Sequence, residues 1–190
     1  MSIESDKPIP EFFVELLHTG EVGARYNNLE EAIQTTATRR HLVACDFSRE
    51  SLFAIEFAIA RVVSDGDALI LVNVVPDAAV LDTFCEDDQT MGTTNTEDLL
   101  RDVVRRLATV HKSASKPLHL PKHSTFAGAF VGLSGAVLCN VCLRLNVDTI
   151  VLGTHARSPI GKVLFGSVGD YCLHHAPTSV VVVRPKHPQM

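Results

Sequence analysis

Residues 147–183 read VDTIVLGTHARSPIGKVLFGSVGDYCLHHAPTSVVVV, and this stretch decides the fold. Its first part is an apolar strand that stops at Gly153, and a polar loop then leads to Gly166 and Ser167, which open a helix. The arrangement gathers backbone N–H groups and a helix N-terminus around one point, which favours a bound anion. The stretch therefore predicts a phosphate site between a strand and a helix.

The run GTHARSPIGKVLFGSVGDYCLHHAPTSVVVVRP, residues 153–185, resembles the C-terminal half of the universal stress protein family. The family's nucleotide motif is Gly, two residues, Gly, nine residues, then Gly-Ser or Gly-Thr. Gly153, Gly166 and Ser167 match this motif, and Ala156 stands where the second glycine belongs.

A second segment, HLVACDFSRESLFAIEFA at residues 41–58, is similar to the family's first strand and helix, with Asp46 at the expected acidic position. The two segments bracket residues 41–185, which we predict to be one universal stress protein domain. An N-terminal extension, 1–40, precedes it and a short tail, 186–190, follows. A length of 190 residues, 46% of them hydrophobic, suits a single core of this size.

Strands and helices alternate through the predicted domain. The expected strands are the run HLVAC before Asp46, then Ala68 to Val75, a strand that follows Pro117 and runs to about Phe126, then Asp148 to Gly153 and Thr178 to Arg184. Continuous apolar strands indicate a sheet that is covered on both faces, and right-handed crossovers make it parallel. The predicted fold class is α/β, an open twisted parallel five-stranded sheet with helices on both faces, Rossmann-like. The resemblance implies the adenine nucleotide alpha hydrolase-like strand order 3-2-1-4-5, with a ligand crevice between the first and fourth strands.

Outside these strands the pattern is less regular. Pro10 followed by EFFVELL, with Gly20 just beyond, predicts a short amphipathic helix, and Asn28 is expected to cap a second helical piece through Ile33. Residues 77–95 form a polar insert that we expect to be a solvated loop.

The resemblance implies a nucleotide site at the carboxyl ends of the strands. The adenine edge would meet backbone groups of Val74, the base and ribose would lie against Leu152 and Gly153, and the phosphates would meet the Gly-Ser loop. The predicted site residues are Ala44, Asp46, Val74, Leu152, Gly153, Ala156, Arg157, Lys162, Gly166, Ser167 and Val168. The expected ligand is ATP or AMP, with magnesium held through Asp46.

Several of these residues have a simpler interpretation. In the nucleotide interpretation, Asp46 accepts hydrogen bonds from nucleotide hydroxyls or shares a magnesium ion. In the simpler interpretation, it caps the helix that follows it. Ser167 with Asp170 is close to a capping box, which still leaves backbone N–H groups for phosphate. Alanine at 156 costs on the order of 1–2 kcal/mol where the motif needs positive φ, and Arg157 and Lys162 either pair with phosphate or are solvated loop charges.

Composition excludes several classes of function. A net charge of −5 and a pI near 6.0 disfavour non-specific binding to nucleic acid. We expect no membrane span and no signal peptide, hence a cytoplasmic protein. Five cysteines are too few and too irregularly placed for a disulfide framework. The pair Cys139 and Cys142 has redox or metal spacing, but it lies in an apolar helix and is interpreted as core.

Three functions remain. The first is a stress-response regulator that holds an adenine nucleotide and is not an enzyme, since no Ser-His-Asp or Cys-His arrangement is present and chemistry would be slow or absent. The second is an interaction module of the same fold that has lost nucleotide binding, as Ala156 would allow. The third is a dinucleotide enzyme, from Gly128, Gly132 and Gly135 with Asp148 twenty positions after Gly128, but that acid begins a strand instead of ending one.

The final strand, Thr178 to Arg184, is expected at a sheet edge. It carries no inward charge and no internal proline, so it would template pairing with another chain. Members of the family dimerise through this strand, and the resemblance therefore implies a two-fold symmetric homodimer with antiparallel fifth strands. An unknown protein partner is also expected.

Overall fold

The computed structural model describes residues 11–16, 22–25, 37–76, 96–115, 123–154 and 166–185. The predicted helical piece at 28–33 and the polar insert at 77–95 lie outside these residues. The elements in chain order are β1 Glu11–Leu16, β2 Val22–Arg25, β3 Arg40–Ala44, α1 Arg49–Arg61, β4 Ala68–Val75, α2 Thr96–Ser115, β5 Ser124–Val131, α3 Ser134–Arg144, β6 Thr149–Gly153, α4 Gly166–His175 and β7 Ser179–Val183.

Strands β3 to β7 form the predicted five-stranded parallel sheet. Their order across the sheet is β5-β4-β3-β6-β7, and each neighbouring pair is parallel. Counted from β3, this is order 3-2-1-4-5, so the predicted fold class and strand order are confirmed. Because the strand order reverses between β3 and β6, a crevice opens outside the carboxyl ends of these two strands.

The N-terminal segment adds two strands to this sheet. β1 pairs antiparallel with β5 from Glu11 opposite Phe130 to Leu16 opposite Thr125, and β2 pairs antiparallel with β1. The predicted helix after Pro10 is therefore wrong. A helix of two turns gains little by itself in water, whereas the free edge of β5 offers backbone partners along six residues. Val14 and Leu16 are buried on one face, at the two-residue spacing of a strand.

The core lies in two layers, one on each face of the sheet. Helices α1 and α2 cover one face, and helices α3 and α4 cover the other. The side chains of Val14 and Leu16, from β1 of the sheet itself, belong to the layer under α1 and α2. The first five residues of β4, Ala68 to Val72, are all buried, as expected of a strand that is covered on both faces. This two-sided cover leaves the ends of the strands as the places where a ligand can reach the sheet.

The third parallel strand begins and ends later than its pattern predicted. It runs from Ser124 to Val131, so Gly128 lies inside β5 and pairs with Val72 of β4. Gly128 is therefore not part of a loop that could approach a pyrophosphate, and Asp148 lies just before β6. Both placements count against the dinucleotide enzyme, because that motif needs its first glycine at the end of a strand.

A buried ionic network joins β3 and β4 at their amino ends. The Asp67 carboxylate accepts hydrogen bonds from Arg39 at 3.1 and 3.3 Å, from His41 Nε2 at 3.1 Å and from the Ser64 N–H at 2.9 Å. The Asp67 carbonyl also accepts from the Ser124 N–H at the start of β5. Asp67 is 2% exposed, so one buried residue, through its carboxylate and its backbone carbonyl, links β3, β4 and β5 at the sheet end opposite the crevice.

The longest described helix, α2, has 20 residues and carries charged side chains along its length. None of the described helices combines the length and the apolar character that a membrane span requires.

Candidate functional site

A cavity of about 230 Å³ lies at the carboxyl ends of β3, β4 and β6. The N-terminal turns of α1, α3 and α4 close it from the sides, which is the arrangement expected at a switch in strand order. Its lining residues are Ala44, Cys45, Asp46, Ser51, Val72, Asn73, Val74, Ser134, Leu138, Leu152, Gly153, Gly166, Ser167, Val168 and Gly169. The cavity thus has an apolar part from the sheet and from Leu138, and polar groups from the loops and helix starts.

Most of the residues that the sequence singled out meet in this cavity. The ones that line it are Ala44, Asp46, Val74, Leu152, Gly153, Gly166, Ser167 and Val168. Ala156, Arg157 and Lys162 lie outside the described residues, so their roles stay predictions. Segments more than 100 positions apart along the chain therefore face one space.

Asp46 stands at the mouth of this space, directly after β3. Its Oδ1 accepts a hydrogen bond from the Ser48 N–H at 2.9 Å. The cap of α1 is Ser48, whose Oγ accepts from the Ser51 N–H at 3.2 Å, so the capping interpretation of Asp46 is wrong. Partial burial alone would raise the pKa of Asp46, but hydrogen bonds from Ser48 and Ser51 outweigh it and hold the pKa below its ordinary value. Asp46 is therefore a charged acceptor at neutral pH.

The turn that presents Asp46 contains a conformation that a bulky residue rarely adopts. Phe47 has a φ of 63°, in the left-handed region. The guanidinium of Arg106, on α2, lies 4.0 Å from the centre of the Phe47 ring. The turn between β3 and α1 is thus held from outside by α2.

The two motif glycines meet different constraints. A Cβ added at Gly153 would lie 2.7 Å from the Ser51 backbone nitrogen and would overlap the carbonyl group of Glu50, so Gly153 lets α1 approach β6 closely. Gly166 has a φ of +79°, but an added Cβ there would meet no atom of the described residues within 4 Å. Gly153 is therefore required by packing, whereas Gly166 is required by backbone conformation and leaves open space beside the first turn of α4.

Two helix starts deliver partial positive charge to the cavity. The α4 N-terminus contributes Gly166, Ser167 and Val168 to the lining. The α3 N-terminus contributes Ser134, and its N-cap residue, Leu133, makes no side-chain cap hydrogen bond. Backbone N–H groups at such ends favour an anionic ligand.

Asn73 and Ser134 are lining residues that the sequence analysis missed. Asn73 Nδ2 donates to the Cys45 carbonyl at 2.6 Å, and the residue is 8% exposed. A signal for Asn73 did exist, because it is the one side chain with a hydrogen-bonding amide in the otherwise apolar run ALILVNVV of β4.

The four described cysteines belong to the core or pack against it. Cys142 and Cys172 are buried between α3, α4 and the sheet, and burial raises the pKa of each to about 12. Burial also raises the pKa of Cys139. Thiols with such pKa values hold little thiolate at neutral pH, which favours packing over redox or metal chemistry. Within the described ranges no group of three or more His, Cys, Asp or Glu residues could hold a metal ion.

The paired histidines His174 and His175 end a helix. His174 and His175 lie in the last turn of α4, and both are exposed. His174 Nδ1 lies 2.8 Å from the Asp170 carbonyl oxygen, and the rings of Tyr171 and His175 are 4.3 Å apart. Their positions are at the opposite end of α4 from the cavity.

Comparison with known proteins gives consistent matches. The model of the universal stress protein family matches residues 37–184. The chain is 29% identical over 171 residues to universal stress protein PHOS32 of Arabidopsis thaliana, and the match covers 79% of this chain and 66% of that protein. The chain thus spans slightly less than two thirds of this relative's length.

Two solved structures share the fold. Hypothetical protein PH0823 is 18% identical, with a TM-score of 0.57, over 80% of this chain and 99% of that one. A universal stress protein family protein from Arabidopsis thaliana, At3g01520 with AMP bound, is 14% identical, with a TM-score of 0.50, over 78% of this chain and 92% of that one. At these identities the likeness concerns the fold.

Proposed function

Because the chain belongs to the universal stress protein family, we propose that it is a stress-response regulator that binds an adenine nucleotide, ATP or AMP, in the cavity between β3 and β6. Occupancy of the cavity is the signal in this proposal, and hydrolysis is slow or absent. The protein works in the cytoplasm, where its four described cysteines stay reduced.

One observation carries the proposal. Eight residues that the family resemblance selects, from four separate segments of the chain, line a single cavity at the switch in strand order. A cavity at this position is where open parallel sheets hold nucleotides. The related structure with AMP bound has the same fold and supports this choice of ligand.

The lining suggests how the nucleotide lies. The base packs on Ala44, Val74 and Leu152, and the ribose hydroxyls reach the charged carboxylate of Asp46. The phosphates extend to the N-terminus of α4, where Gly166 and Ser167 are exposed. In this pose, Arg157 and Lys162 pair with the phosphates, and Asp46 shares a magnesium ion with ATP.

We expect the protein to bind ATP or AMP roughly tenfold or more tightly than NAD or flavin mononucleotide. The reason is that the cavity places one base pocket beside the phosphate site at the α4 N-terminus, and that Gly128, the first glycine of the alternative dinucleotide motif, lies inside β5. Isothermal titration calorimetry in the presence of magnesium measures the affinity for each ligand. Magnesium pyrophosphate is the control for unspecific binding of phosphate. An absence of heat with every adenine nucleotide at millimolar concentration would contradict the proposal and favour the interaction module.

We also propose that the chain forms a homodimer through β7. This strand lies at one edge of the described sheet, and β2 and β1 occupy the other edge beyond β5. Val180, Val181 and Val182 are half-buried, which leaves an apolar strand with backbone groups free for pairing on its outer side. A second copy that pairs antiparallel closes this edge with two-fold symmetry.

Substitution Val182→Lys is expected to convert this dimer to a monomer. Each β7 would then carry a lysine into an apolar interface, and the burial of an unpaired charge is costly. Sedimentation velocity at tens of micromolar gives the subunit count. Thr109→Lys, an exposed position on α2 far from β7, is the matched control and should stay dimeric. A monomeric parent protein would rule out the dimer.

A further inference from the structure

The strand β4 carries one amide side chain where it reaches the cavity. Asn73 lies between Val72 and Val74, and all three residues line the cavity. A buried amide inside an apolar strand is costly unless its polar atoms are used. The partners of the Asn73 side-chain nitrogen and oxygen therefore indicate which ligand groups the site can bind.

The nitrogen of this amide is already engaged. It lies 2.6 Å from the Cys45 carbonyl oxygen, directly after the last backbone hydrogen bond between β3 and β4, from the Cys45 N–H to the Val72 carbonyl. Because a carbonyl oxygen can only accept, the atom that faces it must be the NH₂ group. The amide plane is thereby fixed, and Oδ1 is the atom that remains for another partner.

Oδ1 has no such partner in the described part of the chain, where the one side-chain hydrogen bond of Asn73 is the one to Cys45. Thr154 Oγ1, for example, is both unpartnered among the described residues and fully buried. Asn73 Oδ1 is unpartnered there too, but it is not fully buried. The oxygen therefore touches open space, and the open space beside Asn73 is the cavity. An acceptor that is held rigidly at the edge of a cavity is suited to recognise a donor on a ligand.

We propose that Asn73 Oδ1 accepts a hydrogen bond from the bound nucleotide and so selects ligands with an N–H or O–H group at this point. This inference rests on the proposed function and adds a specificity-determining residue to it. Two groups of an adenine nucleotide supply such a donor: the 6-amino group of the base and a hydroxyl of the ribose. Inosine monophosphate carries an oxygen in place of the amine, so it would set acceptor against acceptor.

The test is a cycle of protein variants and ligand analogues, measured by calorimetry. The proteins are the parent, Asn73→Ala and the matched control Asn140→Ala, whose side chain is exposed on α3 and does not line the cavity. The ligands are AMP, inosine monophosphate, 2′-deoxy-AMP and 3′-deoxy-AMP. We expect Asn73→Ala to bind AMP roughly three- to tenfold more weakly, the effect of one hydrogen bond, while Asn140→Ala binds like the parent.

The analogues show which donor Oδ1 meets. If it meets the 6-amino group, Asn73→Ala leaves the affinity for inosine monophosphate unchanged or raises it, because the substitution removes an acceptor that faces the 6-oxygen. If it meets the ribose, the substitution leaves the affinity for one deoxy analogue unchanged. An equal loss for all four ligands would overturn the inference, because a structural role alone gives that result.

The affinities of the parent protein for the four ligands provide a test that does not depend on whether the variant folds. Equal affinity of the parent for all four ligands would overturn the inference while leaving the proposed function intact. No binding of any of them to the parent would overturn the proposed function, and the role of Asn73 with it. Thermal unfolding of each variant, followed by circular dichroism, confirms that a change in affinity belongs to a folded protein.

Discussion

Substitution Gly166→Val is expected to weaken adenine-nucleotide binding at least tenfold, which is about 1.4 kcal/mol, while the protein stays folded. The branched side chain would project into the space where the phosphates lie in the proposed pose, since an added Cβ meets no atom within 4 Å in the part of the chain that the structure describes. A φ of +79° adds strain of about 1–2 kcal/mol for a residue with a Cβ. Calorimetry with AMP and ATP measures the loss, and circular dichroism monitors the fold.

The matched comparison is Gly153→Ala, at the other motif glycine. There a single methyl group meets backbone atoms of Glu50 and Ser51, which cannot rotate away. We therefore expect Gly153→Ala to lower the free energy of unfolding by about 1–3 kcal/mol, the typical cost of overpacking, whereas Gly166→Val acts mainly on the ligand. A reversed pattern, with folding damaged by Gly166→Val and binding alone by Gly153→Ala, would show that the two glycines have been misassigned.

The third member of this series is Ala156→Gly, which restores the family motif. It should tighten binding up to about tenfold if alanine is strained at this position. If Gly166→Val and Ala156→Gly both bind like the parent, the loop between β6 and α4 is not the phosphate site.

Substitution Asp67→Asn should lower the free energy of unfolding by about 3 kcal/mol. The amide keeps the shape of the carboxylate but removes the charge that Arg39 and His41 face, and the side chain of Asp67 is 1% exposed. The Arg39 side chain is 49% exposed, so water offsets part of its loss. Urea unfolding measures the difference, and Asp102→Ala is the control, because its pair with Arg105 lies on the surface and is worth about 0.5 kcal/mol.

The Asp67 contribution should depend on pH in a defined direction. Burial alone would raise the pKa of Asp67, but hydrogen bonds from Ser64, Arg39 and His41 outweigh it and bring the pKa below the ordinary value of 3.8. In the unfolded chain the carboxyl takes up its proton near that ordinary value. The stabilisation is therefore complete above about pH 4 and is lost as the pH falls through the lower pKa of the folded state.

The difference between parent and Asp67→Asn should accordingly shrink in acid and stay constant near neutrality. Nucleotide affinity should be unaffected, because Asp67 lies at the amino ends of the strands and the cavity at their carboxyl ends. A stability difference that grows in acid would contradict the assignment of a lowered pKa to this carboxyl.

The N-terminal segment shows where local pattern fails. The run EFFVELL after Pro10 satisfies the signals of a short helix, yet residues 11–16 form a strand along β5. Both conformations are accessible to such a short segment, and the choice depends on an edge that lies more than 100 residues away. Pairing partners at that distance leave no local trace in the sequence.

Asn73 shows a second kind of limit. Its place inside β4 was predictable, since the strand from Ala68 to Val75 has the predicted bounds. That its nitrogen meets the Cys45 carbonyl and its oxygen faces the cavity depends on the register of β3 against β4. The same holds for Gly153, whose packing role follows from how closely α1 approaches β6.

By itself, the sequence determined the alternation of strands and helices from β3 to β7, the fold class and the members of the motif, because apolar runs, caps and glycines act through neighbours along the chain. The tertiary structure decided that β1 and β2 extend the sheet and that Asn73 belongs to the cavity. These outcomes depend on which backbone groups and side chains meet across strands far apart in sequence. Such contacts form only when the whole sheet is assembled.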